Sequence, residues 1–299
     1  MVEVNTKFSN AKITVAGVGG GGINAVNRMI AKKIGGLKFV AVDTDEETLA
    51  NSQAPIRIQI DEKTPQEIQD EIIKSLEYSD IVFIVAGMGG NTGTKLETIV
   101  SNYAKGINAL TIAVVTLPLS VENLKEKAAD GINNLRQCVD SVILVFNDSV
   151  AKIVEEKNSK REIFNAANEI LAETICGITD LLNVPGNVNL DFADIKTILA
   201  SSGYAFVGIG EAEGENAFIK ATQNALNSPI FEKGVQNAHS VLINFTGSND
   251  SFTMSEIIQA STLIMENTDS EAEIMWGTSA NESFGNKVRV TILATRFYM

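Results

Sequence analysis

The chain has 299 residues but only one histidine, His239, and two cysteines, Cys138 and Cys176. Neither cysteine has a C-x-x-C neighbour, so a zinc site would lack ligands and no metal site is expected. The two thiols read as buried side chains in a reducing compartment. No cluster of lysine or arginine occurs, and 37 acidic residues outnumber 24 basic ones for a net charge of −13. A nucleic-acid surface needs such a cluster, and an anionic membrane attracts one, so neither partner is expected. No uninterrupted apolar run approaches the roughly 18 residues of a membrane span, and Met1 to Lys12 has no apolar signal core. A soluble, cytoplasmic protein is the expectation. Apolar residues make up 44% and charged residues 20%, which supports a core of ordinary size and two domains.

Through the first 180 or so residues, short β-rich runs alternate with helical patterns. Strands are expected at Ile13–Ala16, Phe39–Asp43, Ile81–Ala86, Leu110–Thr116 and Ser141–Phe146. Helices are expected at Ile23–Ile34, Pro65–Glu77, Leu96–Tyr103 and Val121–Gln137. That alternation is the mark of βαβ units and a mostly parallel sheet in an α/β fold. One long helix is expected over Lys160–Leu182, where Ile163, Ala167, Ile170, Leu171, Thr174 and Ile178 keep helical spacing. Asn183-Val184-Pro185-Gly186 ends it. Beyond it, helices are expected at Asp194–Ser202 and Glu215–Asn227. Strands are expected at Tyr204–Glu211, Ser240–Thr246, Glu271–Thr278 and Lys287–Thr295. We place the domain boundary near Gly186, with residues 1–185 forming a first domain that includes the long helix and 186–299 a smaller C-terminal domain.

Two glycine-rich loops follow expected strands. Gly17, Gly19 and Gly22 fit G-x-G-x-x-G, and Asp43 ends the next strand. Alone, that is a dinucleotide fingerprint with Asp43 set for a ribose hydroxyl, and an NAD enzyme is one reading. The second loop, Ala86 to Thr94, has no place in that reading. Glycine costs about 1 kcal/mol in regular structure, so Gly87, Gly89, Gly90 and Gly93 suggest a backbone closely approached by a ligand. Gly93-Thr94-Lys95 has the wrong order for a Walker loop. Backbone N–H groups in two such loops can cradle a polyphosphate. About a hundred residues later comes Asn189-Leu190-Asp191-Phe192-Ala193-Asp194. Two carboxylates three apart can polarise a water, alone or through a cation. The same spacing is also an ordinary helix cap.

These motifs, in this order, resemble FtsZ, the tubulin-like cell-division GTPase family of bacteria, over nearly the whole chain. Gly19 to Met29, Ala86 to Thr94, Asn147-Asp148, Asn189 to Asp194 and Gly277-Thr278 carry the resemblance. It implies a GTPase domain, a long central helix, a smaller α+β C-terminal domain, and head-to-tail filaments. One subunit's Asp191 and Asp194, with Asn189, would act on the nucleotide of the next. Gly19, Gly20, Gly21, Gly22, Gly89, Gly90, Asn91, Thr92, Gly93 and Thr94 would surround the phosphates. Asn24, Asp43, Arg136, Asn147, Phe164 and Asn168 would complete the nucleotide site, with Phe164 stacked on the base. GTP or GDP is the implied ligand, with Mg2+ as its accompanying cation. The implied partners are further copies of the chain and other FtsZ-like or division proteins.

Several positions depart from the family. A glycine-rich loop normally precedes the helix at Pro65, but Ile60 here leads directly through Asp61-Glu62-Lys63. Two acids there would repel phosphate. Asn91 and Lys95 replace glycines, Asp43 replaces an Asn, Asn134 stands where a Glu is common, and Glu169 replaces an Asp beside the base. The γ-phosphate side is therefore eroded while the acidic loop is intact. Slow hydrolysis, binding without a switch, and a nucleotide-independent filament all remain open. The family also continues past the strand at Val288–Thr295 with a linker and an adaptor-binding peptide. Either such a tail has been removed or those adaptors are not used.

Overall fold

The computed structural model describes residues 11–60, 64–90, 93–154, 159–231 and 233–297. The first half alternates β1 (Ile13–Val18), α1 (Gly19–Ala31), β2 (Leu37–Asp43), α2 (Glu46–Ala50), β3 (Ile56–Gln59) and α3 (Pro65–Leu76). Then follow β4 (Ile81–Gly87), α4 (Gly93–Gly106), β5 (Leu110–Leu117), α5 (Lys125–Leu135), β6 (Ser141–Phe146), α6 (Asn147–Ile153) and α7 (Lys160–Asn183). The second half runs α8 (Phe192–Leu199), β7 (Gly203–Glu213), α9 (Ala217–Leu226), β8 (Ala238–Gly247), α10 (Met254–Glu266), β9 (Glu273–Ala280) and β10 (Lys287–Phe297).

The strands form one sheet in the order β3-β2-β1-β4-β5-β6-β7-β10-β8-β9. From β3 to β6 every pairing is parallel, so all the carboxyl ends of these strands lie at one pole. Parallel strands are covered on both faces, which is why β4 reads Ile-Val-Phe-Ile-Val-Ala, buried from Ile81 to Ala86. One core packs α3, α4 and α5 through Ile72, Leu76, Leu96, Val100, Ala128 and Ile132. The opposite core packs α1, α7 and α8 through Ile23, Val26, Leu171, Ile175, Ile195 and Ile198. The two halves of the sheet meet at a short parallel contact, Ser141–Ile143 of β6 with Gly203–Ala205 of β7. Beyond it β10 runs antiparallel to both β7 and β8.

Helix starts follow local chemistry. Thr64 and Glu67 close a capping box over α3, with Pro65 in the first turn. Ser159 and Glu162 do the same for α7. Other boundaries differ from expectation. α1 begins at Gly19 instead of Ile23, so the glycines form its first turn. α8 begins at Phe192 because Asp191 is its cap. The short helices α2 and α6, and the whole of α10, were not expected from the sequence.

α7 ties the halves together through charge. Glu169 accepts from Arg28 of α1 and from Lys32, which caps that helix. Lys32 lies 3.9 Å from Glu173, which is 3.0 Å from Arg289 of β10. Arg289 in turn meets Glu211 of β7 at 2.6 Å. Among the described residues no helix is long and apolar enough to cross a membrane.

Candidate functional site

The two glycine loops adjoin at the carboxyl pole. A Cβ placed on Gly21 would lie 3.5 Å from the Gly87 nitrogen, so the backbones of the two loops are in contact. On Gly22 a Cβ would sit 2.0 Å from the Val85 carbonyl oxygen, which only glycine avoids. Gly20 is different: it is exposed, and its nearest neighbour would be Thr48 Cγ2 at 4.0 Å. Thus Gly22 is needed for packing, whereas Gly20 and the exposed Gly21 leave the first turn of α1 open to a ligand. Val18 caps that turn without a side-chain hydrogen bond, and no acid lies in it. Its N–H groups and dipole are available to an anion. Gly89 (φ +90°) and exposed Gly90 continue the second loop into α4, whose backbone is helical from Gly93 through Thr94. Asn91 and Thr92 lie outside the described residues, as do Asp61, Glu62 and Lys63. β3 ends at Gln59 and α3 begins at Pro65.

Beside the glycine loops, α1 and α7 pack in a register set by their charges. The contacts Arg28–Glu169 and Lys32–Glu173 advance by one turn on each helix, so the helices run parallel. One turn before Arg28 stands exposed Asn24, at the level where α7 presents Phe164 and Asn168 one turn apart. Phe164 is 37% exposed, an apolar ring left free to stack. Asn147, the first residue of α6, is 4% exposed and its Oδ1 has no hydrogen-bond partner. An unpaired buried amide oxygen is costly, and a ligand N–H would satisfy it. Asp43, at the end of β2, is buried, and its Oδ1 accepts from the Thr44 and Asp45 N–H groups at 2.7 and 3.2 Å. A phosphate-and-amide ligand such as a nucleotide fits this set. Among the described residues no three acidic, histidine or cysteine side chains gather as a metal site.

One expectation is corrected by the geometry. Arg136 is not at this pole. It ends α5 just before β6, at the amino ends of the strands, and its guanidinium lies 4.3 Å from the Tyr204 ring centroid. The Glu169 carboxylate, on α7, is in contact with Arg28 and Lys32.

The acidic loop is at the other pole. α7 has 24 residues and so spans about 36 Å; the glycine loops lie beside its start and the acidic loop follows its end. Asp191 and Asp194 form a reciprocal cap: each backbone N–H donates to the other's carboxylate at 2.9 Å. One oxygen of each is used, leaving the second for other chemistry. Asn189 closes the turn before them, donating to the Gly186 carbonyl at 3.0 Å and accepting the Gly186 N–H at 2.8 Å. β9 fixes this turn: the Thr278 N–H donates to the Val188 carbonyl at 2.9 Å, and the Val188 N–H to Thr278 Oγ1 at 3.0 Å. A Cβ on Gly186 would be 1.8 Å from the Thr278 carbonyl oxygen. Within one chain, the loop and the glycines cannot meet.

The sequence reading missed Glu97, in the second turn of α4. It is fully buried, and neither carboxylate oxygen has a hydrogen-bond partner. Burial alone pushes its pKa up to about 8. An acid flanked by Leu96 and Thr98 looks like any exposed helix position, so only the packing identifies it.

A sheet whose parallel half carries two adjoining glycine loops and whose other half is mixed, joined by a long central helix, is the architecture of a tubulin/FtsZ-type domain pair with a smaller C-terminal domain. Residues 12–155 match the tubulin/FtsZ family GTPase domain, and 203–298 match the FtsZ family C-terminal domain. An empty FtsZ dimer from M. jannaschii is 33% identical, covering 95% of this chain and 88% of its own, with a TM-score of 0.87. A point mutant of M. jannaschii FtsZ is also 33% identical, covering 96% and 91%, with a TM-score of 0.89. The GTPγS-bound protofilament of CetZ2 from Haloferax volcanii shares the fold at 19% identity, covering 95% and 92%, with a TM-score of 0.79. The chain belongs to the tubulin/FtsZ family.

Proposed function

We propose that this chain is a cytoskeletal protein that binds GTP or GDP and polymerises head to tail, the acidic loop of one subunit meeting the glycine loops of the next. The observation that carries the reading is the separation of the two half-sites at opposite ends of α7. A site divided between two poles is completed by translation along one axis, and such a heterologous contact repeats openly into a filament. The resemblance to M. jannaschii FtsZ and the CetZ2 protofilament supports it.

In this reading Gly19 to Gly22 and Gly89 to Thr94, with Asn91 and Thr92, hold phosphates through backbone N–H groups. Asn24, Asp43, Asn147, Phe164 and Asn168 hold ribose and base. Mg2+ would bind mainly through phosphate oxygens, as it does where few protein ligands are offered. The uncapped oxygens of the neighbour's Asp191 and Asp194 orient and polarise the attacking water, and Asn189 positions the turn. The domain boundary falls near Gly186. The protein acts in the cytoplasm without nucleic acid or direct membrane contact, in division or a related cytoskeletal role, with other division proteins as further partners.

Sedimentation of purified protein with GTP, GDP or no nucleotide, with electron microscopy of the pellets, tests this. Filaments with GTP alone are expected. A second reading, a filament independent of nucleotide, is favoured by the sequence between Gln59 of β3 and Pro65 of α3, which lacks the glycine-rich stretch that the resemblance leads one to expect there. Equal filaments in all three conditions would support it and refute nucleotide control. No polymer under any condition would refute both.

A further inference from the structure

β9 is the last strand of the sheet, and the segment leading into the acidic loop lies along its outer edge. The Ala280 N–H donates to the Pro185 carbonyl at 3.3 Å, and the Thr278 N–H to the Val188 carbonyl at 2.9 Å. The Val188 N–H is met by a side chain: it donates to Thr278 Oγ1 at 3.0 Å, and that hydroxyl in turn reaches the Val188 carbonyl at 3.4 Å. One buried residue thus holds both backbone groups of Val188. From there the restraint passes along the chain. Asn189 is closed onto Gly186 in both directions. Leu190 packs on β9, where a Cβ on Gly277 would lie 3.4 Å from Leu190 Cγ. Asp191 comes next and caps α8, which is anchored by buried Ile195 and Ile198. The acidic loop is therefore clamped between a core helix and the Thr278 hydroxyl.

We propose that Thr278 is a positioning residue for hydrolysis: its hydroxyl sets, through Val188, where the free carboxylate oxygens of Asp191 and Asp194 stand against the next subunit's nucleotide. This rests on the reading above, in which that loop acts across subunits, and adds a residue from a separate strand of the C-terminal domain. Catalytic positioning is steep in distance, and a misplacement of about 1 Å can cost on the order of a hundredfold in rate. Without the hydroxyl the Val188 N–H loses its acceptor, and the turn shifts to find another. The glycine loops lie at the opposite end of α7. The loss therefore falls on turnover and spares nucleotide affinity.

The experiment compares Thr278→Val and Thr278→Ser with the wild type at equal polymer mass, by phosphate release at varied GTP and by GDP calorimetry. Val keeps the strand's backbone contact and the side-chain shape without the hydroxyl, whereas Ser keeps the hydroxyl. The Val variant should lose about tenfold or more in kcat with KM and GDP affinity unchanged, and the Ser variant should stay within about twofold of wild type. Trp276, the chain's single tryptophan, lies two residues before Thr278 on β9 with its ring centroid 6.1 Å from that of Phe245, so its emission reports the strand. Unchanged emission beside a lowered kcat separates lost position from lost fold. Wild-type kcat in the Val variant, or a Ser variant as slow as Val, would overturn the role of the hydroxyl and leave the shared site standing. Shifted emission with weakened GDP binding in the Val variant would overturn it as well, as a general disturbance of the fold. No phosphate release by the wild type at any protein concentration would overturn the hydrolytic reading and the part of Thr278 with it.

Discussion

Replacing Glu97 by Gln should stabilise the folded chain, by an amount that depends on pH. The unfolded carboxyl releases its proton near 4.5, whereas burial in the fold holds it to about 8. Between these values the folded state carries a proton that the unfolded state has lost. Stability of the wild type therefore falls as pH rises through that window and levels off above it. At about 1.4 kcal/mol per pKa unit, the full loss is about 5 kcal/mol, and about 3 kcal/mol by pH 7. Gln has nearly the same shape and no proton to lose. The stability difference, variant minus wild type, should climb by these amounts from its value at pH 4.5. Urea unfolding followed by circular dichroism, at half-unit steps from pH 5 to 9, measures it, and all other titrating groups cancel. A difference that stays constant from pH 5 to 8 would refute the reasoning, because the carboxyl would then be reaching water or a partner.

Asp191→Asn should leave thermal stability unchanged, since Asn caps a helix as well as Asp, yet abolish hydrolysis by removing the free carboxylate oxygen; melting curves and phosphate release check the two halves. Gly20→Ala should fold normally but bind GDP at least tenfold more weakly, because the methyl enters the open first turn of α1. Gly22→Ala, with its Cβ 2.0 Å from the Val85 carbonyl, should be destabilised by several kcal/mol in the same assays. Arg289→Met keeps the side-chain stem but leaves Glu173 and Glu211 without their shared partner. A loss of about 1–3 kcal/mol in urea unfolding is expected, shrinking as salt is raised.

The parallel half of the fold was legible because burial on both faces demands continuous apolar runs, and β4 and β6 are such runs. Helix boundaries were harder where glycine is used for contact. The sequence suggests that α1 begins after Gly22, since glycine opposes helix, but the approach of Val85 and Gly87 draws those residues into the first turn. α10 escaped notice because it is apolar on two sides. Ile257, Ala260 and Ile264 face the core, while Met254, Ile258 and Met265 face solvent, and the periodicity blurs. At the site, motifs located both glycine loops and the acidic turn. Spacing could not show that Asp191 and Asp194 cap a helix and also keep a free oxygen each. Arg136 went astray because its place depends on which end of α5 meets which end of the sheet. Glu97 carries no local signal, since its burial arises from helices distant in sequence.

The central claim is that the working site is built from two subunits. Its most direct test is the rate of GTP hydrolysis per subunit as protein concentration is raised from dilute to well above the onset of assembly. A shared site predicts a rate near zero in dilute solution that climbs steeply as neighbours bring Asp191 and Asp194 to the glycine loops. Hydrolysis at one constant specific rate across the whole range would contradict it, because each chain would then be acting alone.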